Sequence, residues 1–440
     1  MFGIPITLIA AAISLELTFL FLAWAARLPP ARITPIILAL IGANTIWITT
    51  IYLVKRNRSS GTLPSGFIIG IALAFRFTLW SLIPPLTDDP FRYRWEAQVI
   101  NQGGNPYLSR PLDANWQHLR DTVWIRVGQK DVPAGYGPAW ESIGAITGKI
   151  ASAITPDPAA QVILFKLPAA FFDLATLVLL AVTLHKASLP SSWLLIYAWS
   201  PLAIWEFWAN GHHDPPVLFA LLLALTLGSG ARWTGSWIAL ATAVALKFWP
   251  AILIPAWLVR SRRWVTGPLL ITGILALTAL PYLGGDITSN IRFMSGFVGG
   301  WRNNDSLFGV ILAIARDQYL AKYIAFTLIA AASWILALQQ RWPLHRIALW
   351  TIASLLLLSS NCHPWYLTWL LPFLVFETPS PLLLWIALMP LTYAVWIDWS
   401  LLGTWNGSTA IRLYVYIPFF AYLVFWLFFR KRLAQSELGL

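Results

Sequence analysis

Long apolar runs recur from Ile4 to Phe429, many of them close to the ~20 residues a helix needs to cross a hydrocarbon core. No other feature constrains this chain so strongly. Lipid offers no partner to a bare N–H or C=O, so each run must satisfy its own backbone as a helix. Only 11% of residues are charged, against about 25% in a soluble domain, and mean hydropathy is +0.66. The fold class expected is an all-α polytopic membrane protein.

Net charge is +12, which in a soluble chain would raise nucleic acid as a partner. Here the basic residues fall in short clusters at run ends: Lys55-Arg56-Asn57-Arg58, Arg260-Ser261-Arg262-Arg263, Arg341 to Arg346, and Arg430-Lys431-Arg432. That is the signature of cytoplasmic loops. The partner expected is the bilayer, with no nucleic acid, and both termini fall inside. Spans are expected near 4–25, 33–54, 66–86, 160–185, 191–209, 214–229, 264–283, 318–339, 345–361, 364–377, 380–398 and 409–429, a bundle of about 12–13 helices. The first run lacks a basic leader and a small-residue cleavage site, so it reads as a retained helix. The one cysteine, Cys362, excludes an intramolecular disulfide and a cysteine metal cluster.

One segment resists simple spanning. Arg232 and Arg260 both read as cytoplasmic, yet 237–259 between them is apolar, interrupted by Lys247, Pro250 and Pro255. A re-entrant hairpin or broken helix reconciles this, since irregular backbone at membrane depth is tolerated where it lines a cavity. The alternative is one ordinary helix and a topology error elsewhere.

Between about 87 and 159 no run can span. This stretch holds Asp88, Asp89, Glu96, Asp113, Asp121, Asp131, Glu141 and Asp157, eight of the chain's 18 acidic residues. So long a connector is functional or disordered, and its Trp, Tyr and Ile content argues for folded short helices. A second outer loop is expected near 284–306. The chain then divides into two N-terminal helices (1–65), a core (66–377) and C-terminal helices (378–440).

Asp88 and Asp89 open the large loop directly after Pro84-Pro85, where the preceding helix must end. A carboxylate at the membrane surface can take a proton from an attacking hydroxyl. Arg92 and Arg94 nearby could hold a phosphate. Asn105 with Tyr107, and Tyr136 between Gly135 and Gly137, combine turn chemistry with an aromatic. Glu206, Asn210 and Asp214 are spaced by four and share a face if their helix continues. His212, His213 and Asp214 could ligate a divalent metal, but two adjacent histidines on a tight turn rarely share an ion, so no metal is expected. Lys166 and Asp173, two turns apart, are expected to pair with each other; Arg76 and Lys247 are the other basic groups at membrane depth, and Glu16 stands alone in the first span. Two further outer clusters are Arg302-Asn303-Asn304 and His363-Pro364-Trp365-Tyr366. A pump or channel would string such residues along the helices at mid-depth; here most gather at one surface.

Asp88-Asp89-x-x-Arg92-Tyr93-x-Trp95, followed by Gly104-Asn105-Pro106-Tyr107, resembles the first-loop motif of bacterial GT-C glycosyltransferases, nearest to polyprenol-phosphate-mannose-dependent mannosyltransferases. Tyr136-x-Pro138, Lys166-Leu167-Pro168 with Asp173, Ser200-Pro201 to Glu206, Gly211-His212-x-Asp214, Lys247 with Pro250, Trp301 to Asn304 and Pro364-Trp365-Tyr366-Leu367-x-Trp369 follow in the family's order, over residues 66 to 377. Glu96-Ala97 departs from an expected aspartate–glycine. The resemblance implies a polyprenyl-phosphate-linked sugar as donor, no cofactor or metal, and inversion at the anomeric carbon. The acceptor hydroxyl, on a glycan, lipid or protein, would be activated by Asp88 or Asp89. Arg92, Lys247 or Arg302 would neutralise the phosphate. Arg94, Trp95, Asn105, Tyr107, Tyr136, Glu206, Asn210, His212, Asp214, Asn303, Asn304, His363, Trp365 and Tyr366 complete the expected binding set. The setting implied is the cell inner membrane, with the site extracytoplasmic; a lipid-linked-sugar flippase or transporter is the alternative.

Overall fold

The apolar runs close into helices. The computed structural model describes residues 4–29, 33–56, 63–284, 301–403, 405 and 407–438; about three-quarters of the chain is helical, and no strand forms among the described residues. Among the described residues, six helices are long and apolar enough to cross a bilayer: Ile6–Ala25, Thr34–Arg56, Pro158–Lys186, Gln318–Ala337, Ser380–Leu401 and Thr409–Phe429. Shorter apolar helices follow at Ser65–Trp80, Asp214–Ser229, Trp233–Leu246, Thr266–Tyr282 and Leu344–Leu358. The protein is an all-α polytopic membrane protein.

Two expected spans are not continuous helices. The stretch 191–209 divides into Ser191–Leu194, Leu195–Ala198, Pro201–Ile204 and a single π turn, Trp205–Ala209. Pro201 has no N–H to continue the preceding helix, and Ser200 caps the restart by accepting the Ala203 N–H. The stretch 364–377 is a 3₁₀ helix, Pro364–Leu370, followed by one α turn, Leu371–Leu374. Both are walled by buried residues, where broken backbone can find protein partners.

The segment after Arg232 forms a hairpin. Trp233–Leu246 ends at Lys247, whose backbone is extended (φ −157°, ψ 133°). The chain then returns through Trp249–Leu253 and Ile254–Ser261. The arms meet again at their far ends, where Trp257 donates to Ser236 at 2.7 Å and Trp237 to Ser261 at 3.1 Å. Lys247 is therefore at the tip, with Arg232 and Arg260 together at the base.

Charges inside the bundle find partners, though not the ones spacing suggests. Lys166 does not pair with Asp173. Its ammonium lies 2.8 Å from the carbonyls of Leu82 and Trp208 and 2.5 Å from that of Trp80, capping the C-terminal end of Ser65–Trp80, where the helix dipole is negative. Asp173 instead takes Arg76, with Nε–Oδ2 at 2.6 Å, and accepts from Tyr197 and Trp208 at 2.8 Å each. Glu16 accepts from Thr78 at 2.5 Å. The two N-terminal helices are packed into the body: Trp47 donates to the Leu195 carbonyl at 3.1 Å.

The large loop folds as expected into short helices: Asp89–Asn101, Ala114–Leu119, Trp124–Arg126 and Pro138–Ile154. Phe91, Trp95, Val99, Leu119, Val127 and Val162 form a small core beneath it. The second outer loop is tied down where described, by a bridge in which Asn303 and Cys362 exchange hydrogen bonds with 360 and 303. Residues 285–300 of that loop, and Asn57 and Arg58 of the first basic cluster, lie outside the described residues.

Candidate active site

Pro84-Pro85 ends the Ser65–Trp80 helix in an irregular turn, and Asn210 fixes the turn by accepting the Leu86 N–H at 3.2 Å. The chain then enters Asp89–Asn101, with Pro90 in its first turn, where a missing N–H costs nothing. Asp88 occupies the N-cap position, without a side-chain capping bond, and Asp89 begins the helix, so both carboxylates stand at a helix N-terminus. Both open onto a cavity of about 190 Å³ that is partly open to solvent.

The two aspartates are held differently. Asp89 Oδ1 accepts from Tyr136 at 3.0 Å; its Oδ2 accepts from Tyr93 at 2.8 Å and lies 3.1 Å from His212 Nδ1. Burial disfavours its charge, but the hydrogen bond and positive charge of His212, with the Tyr93 hydroxyl, outweigh burial and hold its carboxyl well below the usual range. Asp88 rests against Gly128, so closely that a β-carbon there would stand 1.6 Å from Asp88 Oδ2. Burial, then the like charge of Asp89, raise Asp88 to about 6. Adjacent carboxylates thus split into a fixed anion and a group that takes up protons near neutrality.

Arg92 and Glu96 line the cavity beside them, one and two turns along the same helix face. The Arg92 guanidinium is occupied: Nε donates to Glu96 at 2.6 Å, and the remaining nitrogens to the Gly128, Gln129 and Val132 carbonyls. It clamps the 128–137 loop over the helix.

The facing wall comes from the hairpin tip and the second half of the chain. Lys247 Nζ is 2.7 Å from Asp214 Oδ1 and sits 5.4 Å over the rings of both Tyr366 and Trp369. Trp369 donates to the same Asp214 oxygen at 2.7 Å. Trp301, Asn361, His363, Trp365 and Tyr366 continue this wall, and Phe248 and Trp301 form an exposed apolar rim. Trp365 stacks between His363 and His212, with centroids at 4.3 and 4.2 Å.

Of the residues expected at the site, Asp88, Asp89, Arg92, Tyr136, Lys247, His363, Trp365 and Tyr366 line the cavity. The rest stand behind it or away from it. Arg94 is buried against Gln161 and Asp121, and Trp95 lies in the loop core, because both occupy the far face of their helix. Asn105 donates to the Tyr282 carbonyl and Tyr107 to the Tyr136 carbonyl. Glu206 and Asn210 pair at 2.9 Å, but Asp214 leaves their face: the helix passes into the π turn, and Gly211, at φ +77°, reverses the chain. A side chain at Gly211 would also strike Lys166, 2.7 Å from the ideal β-carbon. His212, His213 and Asp214 consequently turn to three different partners, Asp89, Tyr93 and Lys247. Arg302 pairs with Asp305 at 2.9 Å, Asn303 with His363 at 2.8 Å, and Asn304 reaches the Cys362 carbonyl and Tyr416. These three brace the 301–306 segment.

The expected binding set left out Tyr93, Trp369 and Gly128, and His213 was considered only as a metal ligand. Tyr93 and Trp369 are aromatic residues within the motifs named above. Gly128 lies in a loop without periodicity, and only its contact with Asp88 marks it.

No curated protein matches the chain. The family model described as alpha-(1->6)-mannopyranosyltransferase, N-terminal domain, matches residues 7–262, more than half of the chain. The match takes in the two N-terminal helices, the aspartate pair, the Glu206–Asp214 turn and the hairpin with Lys247. It runs through one face of the cavity and the supports behind it. The chain belongs to this family: it is a multi-pass membrane mannosyltransferase of GT-C type.

Proposed function

We propose that the protein moves mannose from a polyprenyl-phosphate donor to an acceptor hydroxyl, with Asp88 as general base and inversion at the anomeric carbon. The observation that carries this reading is a carboxylate pair facing a cation across one cavity. The acceptor oxygen attacks C1 of mannose as its proton passes to Asp88; the C1–O bond to phosphate breaks, and its electron pair leaves with the polyprenyl phosphate. Asp88 suits the base because its proton affinity lies near working pH, whereas three donors already satisfy Asp89. Ionised Asp89 would stabilise positive charge developing on the sugar.

Lys247 is the group best placed to receive the leaving phosphate: it lines the cavity and gives one ammonium proton to Asp214, leaving two, whereas every Arg92 nitrogen is occupied and Arg302 is off the cavity wall. The aromatic wall suits the sugar faces, and the exposed rim of Phe248 and Trp301 suits the first prenyl units. Arg232 and Arg260 stand at the hairpin base, away from Lys247 at its tip, which favours an extracytoplasmic site in the cell inner membrane. The charges deep in the bundle, Arg76, Asp173 and Lys166, are consumed by internal partners and none lines the cavity. That favours transfer over transport.

Asp88→Asn is expected to lower transfer from radiolabelled polyprenyl-phosphate mannose by roughly 10²–10⁴-fold without loss of folded protein. In the wild type, kcat/KM should rise with pH through about 6 as Asp88 loses its proton. Wild-type rates in Asp88→Asn would end the assignment.

A further inference from the structure

His212 was expected to touch substrate, but it is buried behind Asp89 and absent from the cavity wall. Its two ring nitrogens face two carboxylates. Nδ1 hydrogen-bonds Asp89 Oδ2 at 3.1 Å, and Nε2 stands 3.2 Å from Glu206 Oε2, an ion-pair contact that lies out of line for a hydrogen bond. Neutral imidazole has one N–H; with that proton on Nδ1 toward Asp89, a bare Nε2 lone pair would face the Glu206 carboxylate at 3.2 Å, so the charges on both sides are matched only by the doubly protonated ring. Trp365 lies flat on the ring at 4.2 Å, with planes 18° apart, and prevents it from tipping.

Glu206 is itself held on all sides. Asn210 donates to Oε2 at 2.9 Å and Tyr393 to Oε1, and the residue has no solvent exposure. The π turn Trp205–Ala209 sets its position, with the Asn210 N–H reaching back to the Trp205 carbonyl at 2.9 Å. Such single-turn bulges recur at functional sites. A buried carboxylate aimed at the back of a histidine, in a segment deformed to place it, is more than a helix needs for packing.

We infer that Glu206 and His212 are positioning residues: an imidazolium clamped between two carboxylates fixes Asp89 as a permanent anion beside Asp88. Without the clamp, Asp89 keeps only the two tyrosine hydroxyls and competes with Asp88 for the acceptor's proton. This inference rests on the proposed transfer reaction and on Asp88 as its base.

Other ionisable groups interact with His212: Asp88 beside Asp89, His213 and Asp214 in its own turn, and His363 beside Trp365; Tyr93 and Tyr136 reach it through Asp89, Tyr393 through Glu206, and Lys247 through Asp214. Burial lowers its proton affinity, but Asp89 and Glu206 outweigh burial, and His212 stays charged up to about 9. Because the charged form is the supporting one, activity should fall as pH rises through that value. Removing the Glu206 charge should bring the fall to lower pH.

The test is the pH profile of kcat/KM for the full chain in liposomes, with polyprenyl-phosphate [14C]mannose as donor and octyl mannoside as acceptor. The basic limb should move down by at least one pH unit in Glu206→Gln, return towards wild type in Glu206→Asp, and vanish in His212→Gln at a rate lowered at least tenfold. An unmoved limb in Glu206→Gln, or the wild-type limb surviving in His212→Gln, would overturn the inference. A measurement on the wild type guards against variants that do not fold: 15N spectra of the six histidines should show one doubly protonated ring at pH 8, and none would equally overturn it. Wild-type protein inactive with every polyprenyl-phosphate sugar would instead refute the proposed reaction.

Discussion

Gly128→Ala distinguishes the two aspartates without substituting either. A β-carbon at this position would stand 1.6 Å from Asp88 Oδ2 and 2.4 Å from its Cγ. Carbon and oxygen settle at roughly 3.3 Å when in contact, so the carboxylate must swing away by about 1.7 Å. Asp88 sits at the cavity edge and can turn, and the Gly128 backbone does not require positive φ, so stability should change by less than about 1 kcal/mol. Catalysis is far less tolerant. A misplacement of about 1 Å can cost 10²-fold in rate, which corresponds to roughly 2.7 kcal/mol on the barrier. We expect kcat for mannose transfer to fall at least about 100-fold while the thermal unfolding midpoint in detergent stays within a few degrees of wild type. Asp89 keeps its three donors in this variant. A kcat within about threefold of wild type, at equal stability, would refute Asp88 as the base.

Two further outcomes follow from the buried charges. Lys247→Gln removes the cation nearest the proposed leaving phosphate and should raise the donor KM by roughly 10–100-fold, the ~1.5–3 kcal/mol of a charged hydrogen bond, with the acceptor KM unchanged; equal effects on both substrates would place Lys247 elsewhere in the reaction. Arg76→Met strands Asp173 in the bundle interior and should destabilise by about 3–5 kcal/mol, whereas Arg76→Met with Asp173→Leu should recover most of it. Denaturant titration decides this, and a single variant as stable as wild type would show the pair to be dispensable.

The sequence made the aspartate pair, Lys247 and the His363–Tyr366 cluster legible because charge is costly in an apolar chain and its exceptions stand out. The hairpin was legible from two arginines that demanded the same side. Tyr93 and Trp369 were not, since one more aromatic in a chain with 27 Trp carries no signal by itself. Arg94 and Trp95 misled because proximity in sequence was allowed to stand for proximity in space. On a helix beginning at Asp89, the cavity face carries positions 89, 92 and 96, and 94 and 95 point behind it. The pairing of Lys166 with Asp173 failed for a related reason. Helical spacing identifies neighbours on one helix, but these groups found stronger partners on others.

The cavity draws one wall from residues 88–137 and the other from 247 and 301–366. A nascent chain that has emerged only as far as the hairpin carries its aspartates and its lysine but no Trp365 or Tyr366 to enclose a sugar between them. Catalytic competence thus arrives late in biogenesis. On the proposed reaction, a partially inserted protein would neither hydrolyse nor misdirect its sugar donor, because the cavity is not enclosed until the later helices have docked.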